Sequence, residues 1–146
     1  VLGEAQFRSI TATFNCQVQW GDCDPAGIIF YPTYFQWMDA ACWSFFASVG
    51  YTAKRMRAEH LAMPLLSADC QFLYPAEQGD RCEVRSRIGH FGDKSFSVAH
   101  EVLREDGFAL ARGAEKRVWA KFDNGPGTRL RGVRIPDELK ALFRGA

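Results

Sequence analysis

The sequence predicts an α+β domain in which five antiparallel strands form one sheet wrapped around one long helix. Three observations predict it: a period-two alternation near the amino terminus, apolar residues at helical spacing after Pro32, and four apolar segments separated by turn residues beyond Met63. With 146 residues, 47% of them apolar, the chain is expected to be a single domain over residues 1–146 that buries a real core.

From Phe14 to Trp20 apolar residues alternate with Asn15, Gln17 and Gln19, as in a strand with one buried face. Gly21-Asp22-Cys23-Asp24-Pro25-Ala26-Gly27 then favours a loop, because its glycines, proline and aspartates all suit turns. Phe35, Met38, Cys42, Phe45, Phe46 and Val49 recur at helical spacing. Pro32 suits the first helical position, where an amide hydrogen has no helical partner, and Gly50 suits the end of the helix.

Leu65 to Tyr74, Cys82 to Ile88, Phe96 to Leu103 and Leu110 to Phe122 read as strands. Pro75 to Asp80, Gly89 to Asp93 and Glu105-Asp106-Gly107 read as the turns between them, so the four strands are expected to follow one another as a meander. Asp123 to Gly127 is a loop, and Pro136-Asp137-Glu138-Leu139 opens a short terminal helix with acids in its first turn. A sheet curved around one helix covers only one of its faces, so the other face is the expected place for oligomer contacts.

The composition excludes several function classes. The 18 Lys and Arg nearly balance the 17 Asp and Glu, which leaves no global basic field to draw in nucleic acid. Five cysteines without a C-x-x-C pair suggest neither a disulfide framework nor a zinc ribbon, and reduced thiols in a cytoplasmic protein are the simpler expectation. Val1 to Ile10 lacks the apolar run of a secretory signal, and the longest apolar stretches are too short to span a bilayer. His60, His90 and His100 show no metal-ligand spacing and read as structural or surface residues.

Trp20-Gly21-Asp22-Cys23-Asp24-Pro25-Ala26-Gly27-Ile28, then Tyr31-Pro32-Thr33-Tyr34, then Trp37-Met38-Asp39-Ala40-Ala41, resembles the signature of the 4-hydroxybenzoyl-CoA thioesterase family. Weaker similarity runs through Lys94-Ser95-Phe96 and Arg129-Leu130-Arg131 to Ile135-Pro136. The resemblance implies a hot-dog fold, active sites shared between subunits of a dimer of dimers, and hydrolysis of an acyl-CoA without metal or other cofactor. It matches Asp24 to the family's catalytic carboxylate and Tyr31 to the position whose amide polarises the thioester. It places Asp39 near the acyl ring and puts Lys94, Arg129 and Arg131 near the CoA phosphates; apart from the resemblance, the aromatic ring of Trp37 is a candidate pocket wall. The family prototype carries further basic residues just before that lysine, where this chain has Gly92 and Asp93.

Each of these residues also has an ordinary structural reading. Asp24 could be a turn aspartate bonding its own backbone, and first-turn amides are commonly capped by loop groups. Asp39, four positions after Phe35 on the apolar stripe, should be paired with an arginine, reach solvent, or accept a bond from a substrate hydroxyl. Cys23 has no histidine neighbour that would make it a nucleophile, and Trp37, Trp43, Phe45 and Phe46 suit a core or an interface. An aliphatic acyl-CoA or acyl carrier protein thioesterase is the alternative enzyme, and a non-catalytic acyl-CoA-binding domain is the alternative outside catalysis.

Overall fold

A computed structural model of the protein describes residues 10–144, so the expectation about the amino-terminal segment lies outside the described residues except at Ile10. The elements are β1 Thr11–Gln17, α1 Pro32–Ser48, α2 Ala53–Ala58, β2 Leu61–Ala62, β3 Leu65–Phe72, β4 Arg81–Phe91, β5 Ser95–Arg104, β6 Ala109–Val118, β7 Ala120–Phe122, β8 Leu130–Gly132 and α3 Asp137–Leu142. The large sheet has the order β1-β4-β5-β6-β3, all antiparallel, and α1 packs across β1, β4, β5 and β3.

The expected meander holds only for β4, β5 and β6. Strand β3 pairs with β6 instead of β4, because the segment after it crosses the end of the sheet to reach β1 on the far side. That crossing segment is tied down by Ala76, whose carbonyl accepts from the Ile29 amide at 3.0 Å, and by a bridge between Glu77 and Ile28. The first strand also ends earlier than expected, at Gln17, and Trp20–Asp22 form a 3-10 turn capped by Asp22, whose carboxylate accepts from the Gln19 amide.

The single strand expected over Leu110 to Phe122 is two. Trp119 breaks it: its amide donates to the Lys94 carbonyl at 2.7 Å, its carbonyl accepts from Val133, and its ring is buried against Phe46 and Tyr51. β7 thereby leaves the large sheet and joins β2 and β8 in a small sheet of order β2-β7-β8. Neither this small sheet nor α2 was expected from periodicity, since strands of two or three residues show none.

Helix α1 forms as expected, with Pro32 in its first turn and Gly50, at φ +101°, just past its end. Its buried face runs through Tyr34, Trp37, Met38, Ala41, Cys42, Phe45 and Phe46. Phe35 is therefore at the margin of the apolar stripe, and Asp39, one turn on, is exposed. The core divides in two along the helix. One cluster joins Tyr34, Trp37, Val84 and Val102, the other joins Phe45, Phe46, Ile88, Val98 and Phe143, and α3 closes the second.

The outer face of the sheet carries charge, including Glu83, Arg85, Arg87, Glu101 and Arg112. Exposed apolar residues gather elsewhere: Leu65, Leu66 and Phe72 on the edge strand β3, Leu73 and Tyr74 beyond it, and Phe30 and Tyr31 at the start of α1. The largest gathering of exposed apolar residues among the described residues is thus at this edge and not on the outer face, with Trp20, Leu130 and Leu142 exposed apart from it.

Candidate active site

The loop before α1 is a small hairpin. Cys23 bridges Ile29, the Asp24 amide donates to the Ile28 carbonyl at 3.0 Å, and the Phe30 amide donates to the Asp22 carbonyl at 2.8 Å. At its tip Asp24-Pro25-Ala26-Gly27 form a β-turn in which the Gly27 amide donates to the Asp24 carbonyl at 2.9 Å. Proline presets the second position, and Gly27 adopts φ +81°, which an L side chain resists. Asp24 is half-buried, and its Oδ1 accepts from the Ala26 amide at 2.8 Å. The turn-aspartate geometry is thus present, but it occupies one oxygen only. Among the described residues Oδ2 has no hydrogen-bond partner.

The other end of the hairpin is the start of α1. Tyr31 already has helical dihedrals, the Thr33 amide donates to the Phe30 carbonyl, and the Tyr34 amide donates to the Tyr31 carbonyl. Pro32 has no amide hydrogen, and no side chain caps the helix. This leaves the Tyr31 amide without an acceptor among the described residues, at the end of the helix where the dipole favours negative charge. One hydrogen-bonded hairpin therefore holds a free carboxylate oxygen and a free amide at the same end of α1.

Asp39 pairs with an arginine: its Oδ1 accepts from Arg117 Nη2 at 2.7 Å. The Asp39 side chain remains 56% exposed, whereas Arg117 is buried. Tyr31, Phe35 and Asp39, spaced four apart, share one stripe of α1. Phe72 of β3 meets both Tyr31 and Phe35, with ring centroids 6.3 and 6.5 Å away. Trp37 lies on the inward side of the helix, edge-on to Tyr34 in the core.

Sequence reasoning missed the residues behind Arg117. Its guanidinium forks onto Glu115, with Nε to Oε2 at 3.2 Å and Nη2 to Oε1 at 3.1 Å, while Nη1 donates to the Met63 carbonyl. Glu115 Oε2 meets His100 Nε2 at 3.1 Å, and His100 Nδ1 meets Ser86 Oγ at 2.7 Å. Burial pushes the Glu115 carboxyl up, but the hydrogen bonds and charges of His100 and Arg117 outweigh it and hold the group below the usual carboxylate range. Burial works against the charged Arg117, yet its carboxylate partners raise it further. The order Ser86-His100-Glu115 resembles a hydrolytic triad, but all three are sealed under α1, where no substrate reaches the hydroxyl. The signal for them was legible: β6 carries Glu115 and Arg117 in one phase and Arg112 and Lys116 in the other, so one pair had to point inward.

The expected cations stand on or beside the small sheet. Arg129, just before β8, and Arg131, within it, are both exposed, and the stem of exposed Lys94 lies against Gly132 of that strand. Arg131 pairs with Asp123 at 3.0 Å and lies opposite Lys121 of β7. Arg131, Lys121, Arg134 and Arg55 line an open groove of about 410 Å³. Lys121 and Arg134 are further cations that sequence reasoning did not single out. Asp93, the acid at the departure from the family pattern, lies 3.7 Å from Arg134.

Thiol chemistry finds no support at Cys42 and Cys82, which are buried, or at Cys16 and Cys70, which are partly so. Burial pushes the Cys42 and Cys16 thiols up to about 12, and the Cys70 and Cys82 thiols up to about 11. The described residues include no group of three or more side chains suited to holding a metal ion, and no helix long and apolar enough to cross a membrane.

The profile of the thioesterase-like superfamily matches residues 18–143. The chain is 33% identical over 142 residues to the 4-hydroxybenzoyl-CoA thioesterase of Pseudomonas sp. strain CBS-3, covering 92% of this chain and 97% of that one. Among solved structures, a gentisyl-coenzyme A thioesterase superposes with a TM-score of 0.80 at 34% identity, covering 90% of this chain and 99% of its own. An aspartate-to-asparagine mutant of 4-hydroxybenzoyl-CoA thioesterase, complexed with 4-hydroxybenzoyl-CoA, superposes at 0.81 with 29% identity over 91% of this chain and 98% of its own. The match spans nearly all of the fold, including the Asp24 hairpin and α1, and this chain belongs to the thioesterase-like superfamily of hot-dog proteins.

Proposed function

We propose that the protein hydrolyses the CoA thioester of a hydroxylated aromatic acid, giving the free acid and CoA. The observation that carries this reading is the hairpin that presents a free Asp24 oxygen and the free Tyr31 amide together. The amide at the helix start stabilises the charge that develops on the thioester oxygen. The ionised Asp24 carboxylate attacks the carbonyl carbon, the C–S bond breaks, and CoA leaves as the thiolate. Water then hydrolyses the mixed anhydride, releasing the acid and restoring the carboxylate. In the other mechanism Asp24 removes a proton from a water that attacks directly.

The helix stripe supports an aromatic acyl group. From Tyr31 to Asp39 is about 12 Å along the axis at about 1.5 Å per residue. A hydroxybenzoyl group spans about 6 Å between its carbonyl and ring-hydroxyl oxygens, and a hydrogen bond at each end adds about 3 Å. Phe35 and Phe72 supply an apolar side for the ring, and Trp37 backs the wall from the core. Lys94, Arg129 and Arg131 meet the CoA phosphates, and Lys121 and Arg134 line the groove with Arg131.

A dimer of dimers fits the edge strand: among the described residues β3 has no partner on its outer side, and its apolar residues flank the helix start. A second copy pairing there would place its own residues beside Asp24 and Tyr31. The reading is tested on purified protein with hydroxybenzoyl-, benzoyl- and short-chain aliphatic CoA thioesters. Aromatic thioesters should turn over faster, and Asp24→Asn should lose at least about a hundredfold in kcat while still binding ligand. A single turnover in ¹⁸O-labelled water separates the mechanisms, since anhydride hydrolysis at the Asp24 carboxyl leaves label in the enzyme. Near-normal turnover by Asp24→Asn would overturn the assignment, and faster aliphatic turnover would overturn the acyl group.

A further inference from the structure

Between the two apolar clusters under α1 runs a chain of polar side chains that the reaction does not use directly. It begins at Ser86 on β4, crosses His100 on β5 and Glu115 and Arg117 on β6, and ends at Asp39 on the helix surface. The four sheet residues are all buried. Replacing such a buried ionic group with apolar residues of similar volume is commonly neutral or stabilising, so stability alone does not account for it. What the chain does achieve is geometric. Arg117 is held in a fork by Glu115 and by the Met63 carbonyl, and its remaining reach goes to one oxygen of Asp39. The other Asp39 oxygen has no hydrogen-bond partner among the described residues, and the side chain stays accessible on the stripe it shares with Tyr31 and Phe35.

We propose that Arg117 is the positioning residue for acyl recognition: fixed from behind by Glu115, His100 and Ser86, it turns Asp39 so that one carboxylate oxygen is anchored and the other accepts a hydrogen bond from a hydroxyl on the acyl group. The inference rests on the thioesterase reading and adds that the selectivity Asp39 exerts for a hydroxylated ring depends on residues behind it that touch no substrate. Asp39 on a solvent-facing helix stripe would otherwise sample several rotamers, and a flexible carboxylate discriminates poorly between a hydroxyl and a hydrogen. The fork matters as much as the charge, because a lysine is a point charge on a flexible stem and cannot grip Glu115 and Asp39 together.

The experiment compares kcat/KM for hydroxybenzoyl-CoA and benzoyl-CoA in wild type, Asp39→Asn, Arg117→Lys and the double variant. Wild type should prefer the hydroxylated substrate about tenfold or more. Arg117→Lys, which keeps the charge, should lower that preference about as far as Asp39→Asn does, and the double variant should lower it no further. If Arg117→Lys does not fold, Glu115→Gln carries the same expectation, since it keeps the size and loosens the fork. A preference that survives in Arg117→Lys or Glu115→Gln, or effects of the two sites that simply add, would overturn the proposal. Hydrolysis of both thioesters by wild type at equal rates would overturn it while leaving the thioesterase reading intact, whereas no hydrolysis of either would count against that reading itself.

Discussion

Gly113→Ala offers a direct measure of how tightly α1 is seated on the sheet. Gly113 faces the helix from β6, opposite His100, and a Cβ built there would lie 2.4 Å from Met38 Sδ, 3.0 Å from Met38 Cε and 2.8 Å from the Asp69 carbonyl oxygen. Ordinary contacts between such atoms are about 3.5 to 4.0 Å, so the overlap with sulfur exceeds about 1 Å. Met38 is fully buried, and the Asp69 oxygen belongs to the backbone of β3, which cannot turn aside as a side chain can. Over-packing of this kind costs about 1–3 kcal/mol, less about 0.5–1 kcal/mol recovered by removing a glycine from a strand. The net loss lies between about 0 and about 2.5 kcal/mol, and its centre of about 1 kcal/mol corresponds to a Tm lowered by about 2–4 °C for a chain of this size. Urea midpoints at fixed protein concentration would measure it, and adding Met38→Ala should cost less than the two single effects summed. Activity should fall further than stability, because α1 carries both Tyr31 and Asp39, and a displacement of about 1 Å in a reacting group can cost about a hundredfold. An unchanged midpoint with full activity would show that the helix is not seated on Gly113.

Gly27→Ala should strain the Asp24 turn by about 1–2 kcal/mol, since the position holds φ +81° with open space around it, and steady-state kinetics should show kcat falling while KM changes little. Arg131→Gln should raise KM for acyl-CoA with kcat unchanged, and the difference from wild type should narrow as salt rises, because the side chain is more than half exposed. Glu115→Gln should be less stable than wild type at neutral pH and lose less on acidification. The Glu115 carboxyl is held below its unfolded value of about 4.3, so its contribution is complete above that value and disappears as pH falls through the folded one. Urea midpoints between pH 7 and pH 3 would show parallel curves if the carboxylate contributed nothing.

Much of the scaffold could be read from local chemistry. The long helix was legible because Pro32 and Gly50 bracket apolar residues at helical spacing, and the hairpin because Asp24-Pro25-Ala26-Gly27 suits a turn. Strand order was not, since β3 looks like the next strand of a meander until the Ala76 and Glu77 contacts carry the chain across the sheet. The break at Trp119 was hidden for a related reason: a fully buried tryptophan suits the middle of a strand as well as a junction between two sheets. Asp39 shows the same limit within the site. Its environment called for a partner, yet Arg117 lies 78 positions away and only the assembled sheet brings it near. The groove that gathers Lys121, Arg131 and Arg134 likewise depends on the small sheet, whose strands are too short to show a pattern.

The polar chain under the helix also bears on which sheet the sequence can build. Side chains alternate along a strand, so a slip of one residue between β5 and β6 would turn Glu115 and Arg117 towards solvent and bring Ala114 and Lys116 in beneath α1. Lys116 would then be an ammonium sealed in the core without a carboxylate, and Ser86 and His100 would lose the acid that closes their network. A purely apolar strand would tolerate such a slip far better, because one branched aliphatic residue substitutes for another at small cost. The chain thus acts as a lock on strand pairing: it penalises every odd-numbered register of β6 and leaves the native alignment as the one in which all of these charges find partners.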